Sequence, residues 1–519
     1  MKKKMMLLVF ALVVSSAGLQ VGSPFVSKSM ADESLIAPTQ ILKVGRAHLR
    51  TAEEMQAAEA AMLAAGKAPE TVAVPFRPTT SESDYKAAKA AANAQAGSPG
   101  AEALVGTFAP PTVKGGTNFD GVDSVTAGNL RPPDTHGAIG KNHFVEVTNS
   151  HYDVYLRDGT NVKSISLASF FGYTKKTIFD PRVVYDMTLN RWIVSAEAFP
   201  ESSTLQRQFL AISKTEDPEG PFFVYNFNVI FASGDFWDYP QLGMDQKAII
   251  VTANLFGASS FKGANMFAVA KARLYKGKAF SIKLFKNLDA TLAPPIVLDQ
   301  NRKTFLVAAP NGSGVIRKYT LLKSSRGSRA KLKGPTTISV GAYAVPPDAT
   351  QPGTTDKLDT IDNRFVNAST QNADFLWNIH TMNDAGRPGC RWYRIDTLAD
   401  TAIVGNIIHA SATSYDWNAS IAANPGQDLF VTWSSTLEQT GTNAQVRFSG
   451  KELADVSIPA GSSLFTSATF YNPSADTTER WGDYSAVTLD PQINRNAWII
   501  NEKINTTAVW GSRIGRIGY

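Results

Sequence analysis

Hydrophobic and polar positions follow two different rhythms along this chain, and the rhythm changes near Leu104. Before it, "TAEEMQAAEAAMLAAGKAPE" (51–70) and "SDYKAAKAAANAQAG" (83–97) are rich in Ala, Glu and Lys and read as helices, with "SPG" ending the second. The stretch "VAVPFRPTTSES" between them reads as an extended linker. This Ala-rich region, 32–103, carries few large apolar residues and is expected to be a helical or disordered arm, serving as a spacer or as a docking element for a partner.

After Leu104, short runs of Val, Ile, Phe, Tyr and Trp are punctuated by Gly, Pro, Asn and Asp, the mark of many short strands joined by turns. One phrase recurs: a turn, a short strand, a polar turn, then a strongly apolar strand. It is written in "PPDTHGAIGKNHFVEVTN", "FDPRVVYDMTLNRWIVSAE", "WDYPQLGMDQKAIIVTAN", "APPIVLDQNRKTFLVAA", "RFVNASTQNADFLWNIHT", "DWNASIAANPGQDLFVTWSS" and "RWGDYSAVTLDPQINRNAWIINE". Its second strand centres on Val145, Ile193, Ile250, Leu306, Trp377, Phe430 and Trp498, spaced about 50 to 70 residues apart. Each gap leaves room for two more strands.

A repeat of this length with four strands per unit predicts an all-β fold, a seven-bladed β-propeller over 104–519 preceded by the Ala-rich arm. One such sheet cannot cover both its faces, whereas sheets set side by side in a ring cover one another. A six-bladed ring with one misread unit, and a tandem of sandwiches, are the other arrangements the pattern allows. Trp192, Trp377, Trp433, Trp481 and Trp498 are expected between blades. The last strand ends at the terminus, so a strand from about 104–130 ("LVGTFAP" or "NFDGVDSVTA") should complete the final blade.

Composition adds a compartment. "MKKKMMLLVFALVVSSAG" has a basic start, an apolar run and small residues, and reads as a secretory signal peptide over 1–31, cleaved after Ala17 or Ala31. No later apolar run reaches 18 residues, so no membrane insertion is expected once the signal is removed. The single cysteine, Cys390, excludes an internal disulfide and leaves stability to packing or bound ions. It reads as a buried small residue. The net charge of +6 is modest for 519 residues, and no basic stripe suits nucleic acid. A secreted or periplasmic monomer is expected.

Candidate chemistry gathers at the start of each inner strand: Asp134, Asp180, Asp238, Asp416 and Asp483. Carboxylates ringing a channel mouth repel one another unless cations neutralise them. Ca²⁺ at Asp134, Asp180, Asp238 and Asp483 is one solution, and aspartates that only accept N–H groups within their own turns are the other. Arg182, Arg364 and Arg480 lie in the same phrases and could fork onto an anionic ligand, or pair with the aspartates. The three arginines resemble the triad of sialidases, which are also propellers, but the Ser-x-Asp-x-Gly-x-x-Trp turns of those enzymes are missing. His136, Tyr239 and Arg182 are residue types that propeller polysaccharide lyases use as base, acid and charge neutraliser. No Walker, Rossmann, HExxH, GxSxG or CxxC pattern occurs.

The phrases "RPPDTHGAIGKNHFVEVTN", "DPRVVYD…RWIVSA", "DYPQLGMD" and "RWGDYSAVTLDP" together resemble a widespread group of secreted bacterial β-propeller-like proteins, mostly without an assigned activity. The resemblance covers roughly 130–505. It implies fold and export and transfers no catalytic residue. The expected function is a binding scaffold for an extracellular glycan or protein, ion-stabilised, with its ligand at the channel mouth. The alternative is a polysaccharide lyase or glycosidase acting at that mouth.

Overall fold

The computed structural model describes residues 34–66, 73–74, 76–95, 109–128, 130–258 and 260–519. The expected signal peptide lies outside these residues. The fold is β-rich and propeller-like. Consecutive strands form antiparallel meanders, each running from an inner strand outward.

The first sheet holds His136–Ile139, His143–Thr148, His151–Leu156 and Asn161–Ser166. The second is Ile178–Asp186, Arg191–Ala198, Arg207–Ser213 and Phe222–Asn228. The third is Phe236–Met244, Ala248–Phe256, Phe261–Ala270 and Phe280–Leu288. In the fourth, Lys303–Ala308, Val315–Leu322 and Lys331–Ser339 make the sheet, while the inner strand Pro295–Val297 pairs in parallel with its neighbours, Ile296 with Met244 and with Thr370. The fifth runs Ser369–Asn372, Phe375–Asp384, Arg387–Asp396 and Thr401–Asn406, and the sixth Tyr415–Ala423, Leu429–Leu437, Thr442–Lys451 and Ser462–Thr466. The last comprises Ala486–Leu489, Asn496–Thr506 and Val509–Gly518, joined by Thr112–Asp123 from the other end of the chain. This supplies the completing strand expected from 104–130, and it comes from the "NFDGVD" side.

The second strands show why the sequence folds this way. Their apolar residues run without a polar face because both faces are covered, each by a different neighbour. Trp192 and Val194 pack against the first sheet, and Ile193 packs toward the third. Leu306 faces the third sheet, while Phe305 and Val307 face the fifth. Trp498 and Ile500 pack with Phe144 and Ile139 of the first sheet, while Ala497 and Ile499 pack with Phe430 and Phe448 of the sixth. Trp377 and Trp433 meet between the fifth and sixth. Val145, Ile193, Ile250, Leu306, Trp377, Phe430 and Trp498 all lie in second strands and are all buried. Cys390 is a free, buried thiol.

The arm departs from the expectation of a loose appendage. Leu35–Ile36, Gln40–Val44 and His48–Arg50 add outermost strands to the fourth, third and second sheets. Two helices form where the composition placed them, α1 at Ala52–Ala64 and α2 at Glu82–Asn93. Thr51 and Glu54 make a capping box at the start of α1. Met55 of α1 is buried in the core with Tyr152 and Leu167, and Glu59 accepts from the backbone and hydroxyl of Ser166 at 3.0 and 2.6 Å. Edge pairing of this kind is invisible to hydrophobic periodicity, because these strands are short and their side chains largely exposed. Among the described residues no helix is long and apolar enough to cross a membrane.

Candidate functional site

A small irregularity repeats at the start of the inner strands. Pairing slips beside Asp180, Tyr239 and Asn418, each of which adopts a positive φ (50°, 58° and 53°); Asp134 does so at 52°. A bulge with left-handed backbone turns one side chain out of the pleat and toward the neighbouring sheet. Pro181 and Pro240 follow directly, where a missing ladder donor is tolerated.

These turned residues link unit to unit. Asp134 Oδ1 accepts the N–H of Asp483 at 2.7 Å, and its Oδ2 accepts from Asn149 Nδ2 at 2.7 Å. Asn149 Oδ1 accepts the N–H of Asp180 at 2.7 Å, and Asp180 Oδ2 accepts the N–H of Tyr239 at 3.1 Å. Asn418 takes the equivalent place in the sixth sheet, donating its N–H to Thr381 Oγ1 and its side-chain amide to the carbonyls of Gly482 and Tyr484. The aspartates accept N–H groups, as one reading of the sequence required, but those groups belong to the adjacent unit.

Asp416 is a correction. It stands two positions before the bulge at Asn418 and turns away from the ring. It binds His409 Nδ1 at 2.5 Å and accepts from Trp433 Nε1 at 2.9 Å. The aligned phrase placed it with the other aspartates, but in the sixth sheet Asn418 makes the link to the next unit and Asp416 is taken by His409 and Trp433.

The three arginines come together around three rings. Arg182 lies 3.2 Å from the Tyr484 ring centroid, and Arg364 lies 4.6 Å from both Tyr239 and Phe76. Arg480 lies 5.6 Å from Phe76. Most of their donors are spent internally, Arg182 Nη2 being buried without a hydrogen-bond partner. Arg182 donates to the carbonyls of Pro240 and Val366 and to Asn367 Oδ1. Arg364 forks onto Asp362 at 2.8 and 2.9 Å, and Arg480 reaches Asp359 at 2.6 Å and Asp483 at 2.8 Å. Burial opposes the charge on Arg364 and Arg480, and the aspartates overcome it, holding both above the usual arginine value.

The arm closes this end. Arg364 Nη2 donates to the carbonyl of Arg77, and Arg480 Nε to that of Val74. The Val74 N–H donates to the Arg131 carbonyl at 2.7 Å. Lys89 of α2 meets Asp348 at 2.9 Å, Thr360 Oγ1 at 2.8 Å and the Ile361 carbonyl at 2.8 Å.

His136, Arg182 and Tyr239 do not assemble as the acid–base set their types suggested. His136 Nδ1 accepts the Val183 N–H at 3.3 Å, and the Tyr239 hydroxyl donates to the Asp483 carbonyl at 3.2 Å. No hydrogen bond joins the three among the described residues. Burial first, then Arg182, hold His136 well below its usual value, so it is neutral. Burial and nearby carboxylates raise Tyr239 well above its own.

Three buried glutamates were missed: Glu146, Glu197 and Glu502. Each sits inside an apolar second strand, in "HFVEVT", "RWIVSAEA" and "NAWIINEK". A carboxylate within such an apolar run is the signal that could have found them. Glu197 joins Asp180 and Asp238, with one ligand atom from each within 4.8 Å of the others. Burial, then carboxylate repulsion, raises all three: Asp238 and Asp483 act on Asp180, which rises to about 7, Asp483 acts on Asp238, which rises to about 6, and Asp180 and Asp238 act on Glu197.

The opposite end of the axis is open and apolar. A cavity of about 90 Å³ is lined from every unit by Ile139, Tyr185, Met244, Leu298, Thr370, Ala422 and Leu489, with His136 and Asn367 among its polar lining residues.

No protein-family model matches the chain, and no curated protein matches it. Solved structures with a similar arrangement include a mutant of the apocarotenoid oxygenase of Synechocystis, at 9% identity and TM-score 0.37, covering 65% of this chain and 74% of that one. A subtype N10 neuraminidase-like protein of A/little yellow-shouldered bat/Guatemala/060/2010 aligns at 8% identity and TM-score 0.36, covering 65% and 99%. The sialidase of Trypanosoma rangeli aligns at 12% identity and TM-score 0.34, covering 71% and 57%. These neighbours include sialidase-like propeller proteins. Likeness at this distance transfers no activity.

Proposed function

We propose that the chain is a secreted seven-bladed β-propeller that acts as a non-catalytic binding scaffold, taking a protein ligand at the apolar mouth of its central channel. Seven inter-sheet cores follow one another around the described residues, the last returning to the first through Trp498 and Phe144, which supports the seven-unit ring. The observation that carries the binding reading is the contrast between the two ends. At the polar end the arginines and most of the aspartates bind one another and residues of the arm. At the other end the lining is open and mainly aliphatic.

A cavity of about 90 Å³ with a mainly aliphatic lining admits an apolar side chain. An apolar anchor filling a pocket with a polar surround is how protein interfaces concentrate their affinity. The test uses an apolar fluorescent probe and a panel of extracellular peptides on the wild type and on Leu489→Lys, which places a charge at the cavity edge. The reading expects saturable binding, weakened at least tenfold by Leu489→Lys with the melting temperature preserved. Binding untouched by Leu489→Lys contradicts it, as does release of unsaturated sugars from an anionic polysaccharide.

A further inference from the structure

We propose that Asp180, Glu197 and Asp238 form a site for one hard divalent cation, Ca²⁺ by preference, between the second and third sheets. Three observations point to the same place. The ligand atoms of the three side chains lie within 4.8 Å of one another, about twice a calcium–oxygen bond of ~2.4 Å. All three residues are buried, Glu197 completely. Glu197 Oε1 is buried with no hydrogen-bond partner, while the other oxygen accepts from Gln206 Nε2 at 3.4 Å and the Tyr239 backbone N–H also favours the carboxylate.

A buried carboxylate oxygen without a donor carries an uncompensated desolvation cost. Here it stands beside two more carboxylates. The nearest positive charge is Arg77 Nη1, 3.8 Å from Asp238 Oδ2, beyond hydrogen-bond distance. An oxygen-liganded cation supplies what the arginine does not. It neutralises the cluster, and it gives Glu197 Oε1 a partner.

The sequence pointed to a different set, and the structure explains the change. Asp134 uses both oxygens on Asp483 N–H and Asn149, and Asp483 is bound by Arg480. Asp180 and Asp238 remain, and Glu197 arrives from the adjoining strand beside the Asp180 bulge. A second acidic group, His143 with Asp217 and Glu219, also brings three ligand atoms together, but Asp217 is exposed and the other two are half-buried.

The site is independent of the ligand-binding reading, and so is its test. The chain is unfolded in denaturant with a chelator and refolded free of ions. Ca²⁺, Mg²⁺ and Tb³⁺ are then titrated by calorimetry and sensitised luminescence, and metal content is measured by elemental analysis. The proposal expects one ion per chain, Ca²⁺ at least tenfold tighter than Mg²⁺, and a melting temperature raised by about 3–5 °C at saturating Ca²⁺. Glu197→Gln should lose binding at least a hundredfold, yet melt at or above the ion-free wild type, because repulsion is removed with the ligand. Glu219→Gln should bind as wild type. Wild type that takes up no Ca²⁺ and shows no shift overturns the proposal. So does binding that survives both Glu197→Gln and Asp238→Asn, or that is lost in Glu219→Gln.

Discussion

Asp134 and Asp483 stand 349 positions apart, and the N–H of one donates to the carboxylate of the other at 2.7 Å. The first and last units of the chain meet there, and the same carboxylate also holds Asn149. Asp134→Ala leaves two buried donors without acceptors, so a loss of about 3 kcal/mol is expected. Asp134→Asn, which turns one amide group toward a donor, should lose less. Denaturant unfolding reads both, and a shift below about 1 kcal/mol for Asp134→Ala would show that the clasp does not bear on stability.

The closing strand Thr112–Asp123 is held by Glu146, which accepts from the Val122 N–H at 3.0 Å, Ser512 Oγ at 2.5 Å and the Tyr155 hydroxyl at 2.9 Å. Such a close approach requires glycine at 121. A Cβ there would collide with Ser512 Oγ and with Glu146 Oε2. Gly121→Ala should therefore cost about 2 kcal/mol or more, although alanine stabilises most exposed strands relative to glycine. An unchanged urea midpoint would count against this account of the closure.

Two groups, Glu146 and His409, should each withdraw a stabilising contribution as pH rises. Burial raises Glu146 to about 7 despite its three donors. An acid whose folded value exceeds its unfolded one stabilises fully below about 4.5 and loses that contribution as pH climbs through about 7. His409 is opposed by burial, but hydrogen bonds to Asp384 and Asp416 prevail and raise it to about 9. Its contribution is present below about 6.5 and is lost as pH rises through about 9. Buried His136, His151 and His380, held low by desolvation, act in the opposite sense below about pH 6.5, so the lower step is read as the stability difference between wild type and Glu146→Gln, which should shrink as pH rises through about 7. Above about pH 7 the wild type's melting temperature should decline, and His409→Gln should remove that step; a wild-type-minus-Glu146→Gln difference that grows between about pH 5 and 7 would contradict the lower assignment.

Lys89 tests whether the arm is part of the fold. Its ammonium is nearly buried against Asp348, Thr360 and the Ile361 carbonyl. Lys89→Met leaves Asp348 without its cation and should cost about 3–5 kcal/mol. If the arm were a detached spacer, the same change would move the unfolding midpoint negligibly.

How much could be read from the sequence depended on what kind of signal each feature leaves. The second strands left the clearest, because a strand covered on both faces is apolar throughout, and Val145 through Trp498 all fall in such strands. The closing strand was foreseen from a counting argument, since Val509–Gly518 ends the chain and needs an outer neighbour. Of the five aspartates singled out, Asp416 lies apart, held by His409 and Trp433, and composition does not reveal that Asn418 rather than an aspartate takes the left-handed position in the sixth sheet. Glu197 was overlooked because attention went to turns, while the informative oddity was a charge inside an apolar strand. The arm was underestimated because backbone pairing at a sheet edge asks little of side chains. Its docking rests on carbonyls of Val74 and Arg77 that no residue pattern announces.

The central claim is that Thr112–Asp123 and the described arm residues are both built into the proposed ring, the first on its rim and the second across its polar mouth. Hydrogen exchange of two amides tests it most directly: Val122, which donates to Glu146, and Val74, which donates to Arg131. The account predicts that both exchange as slowly as amides of the second strand Asn496–Thr506, through opening of the whole fold. Exchange of either within seconds, as at a frayed terminus, would contradict it.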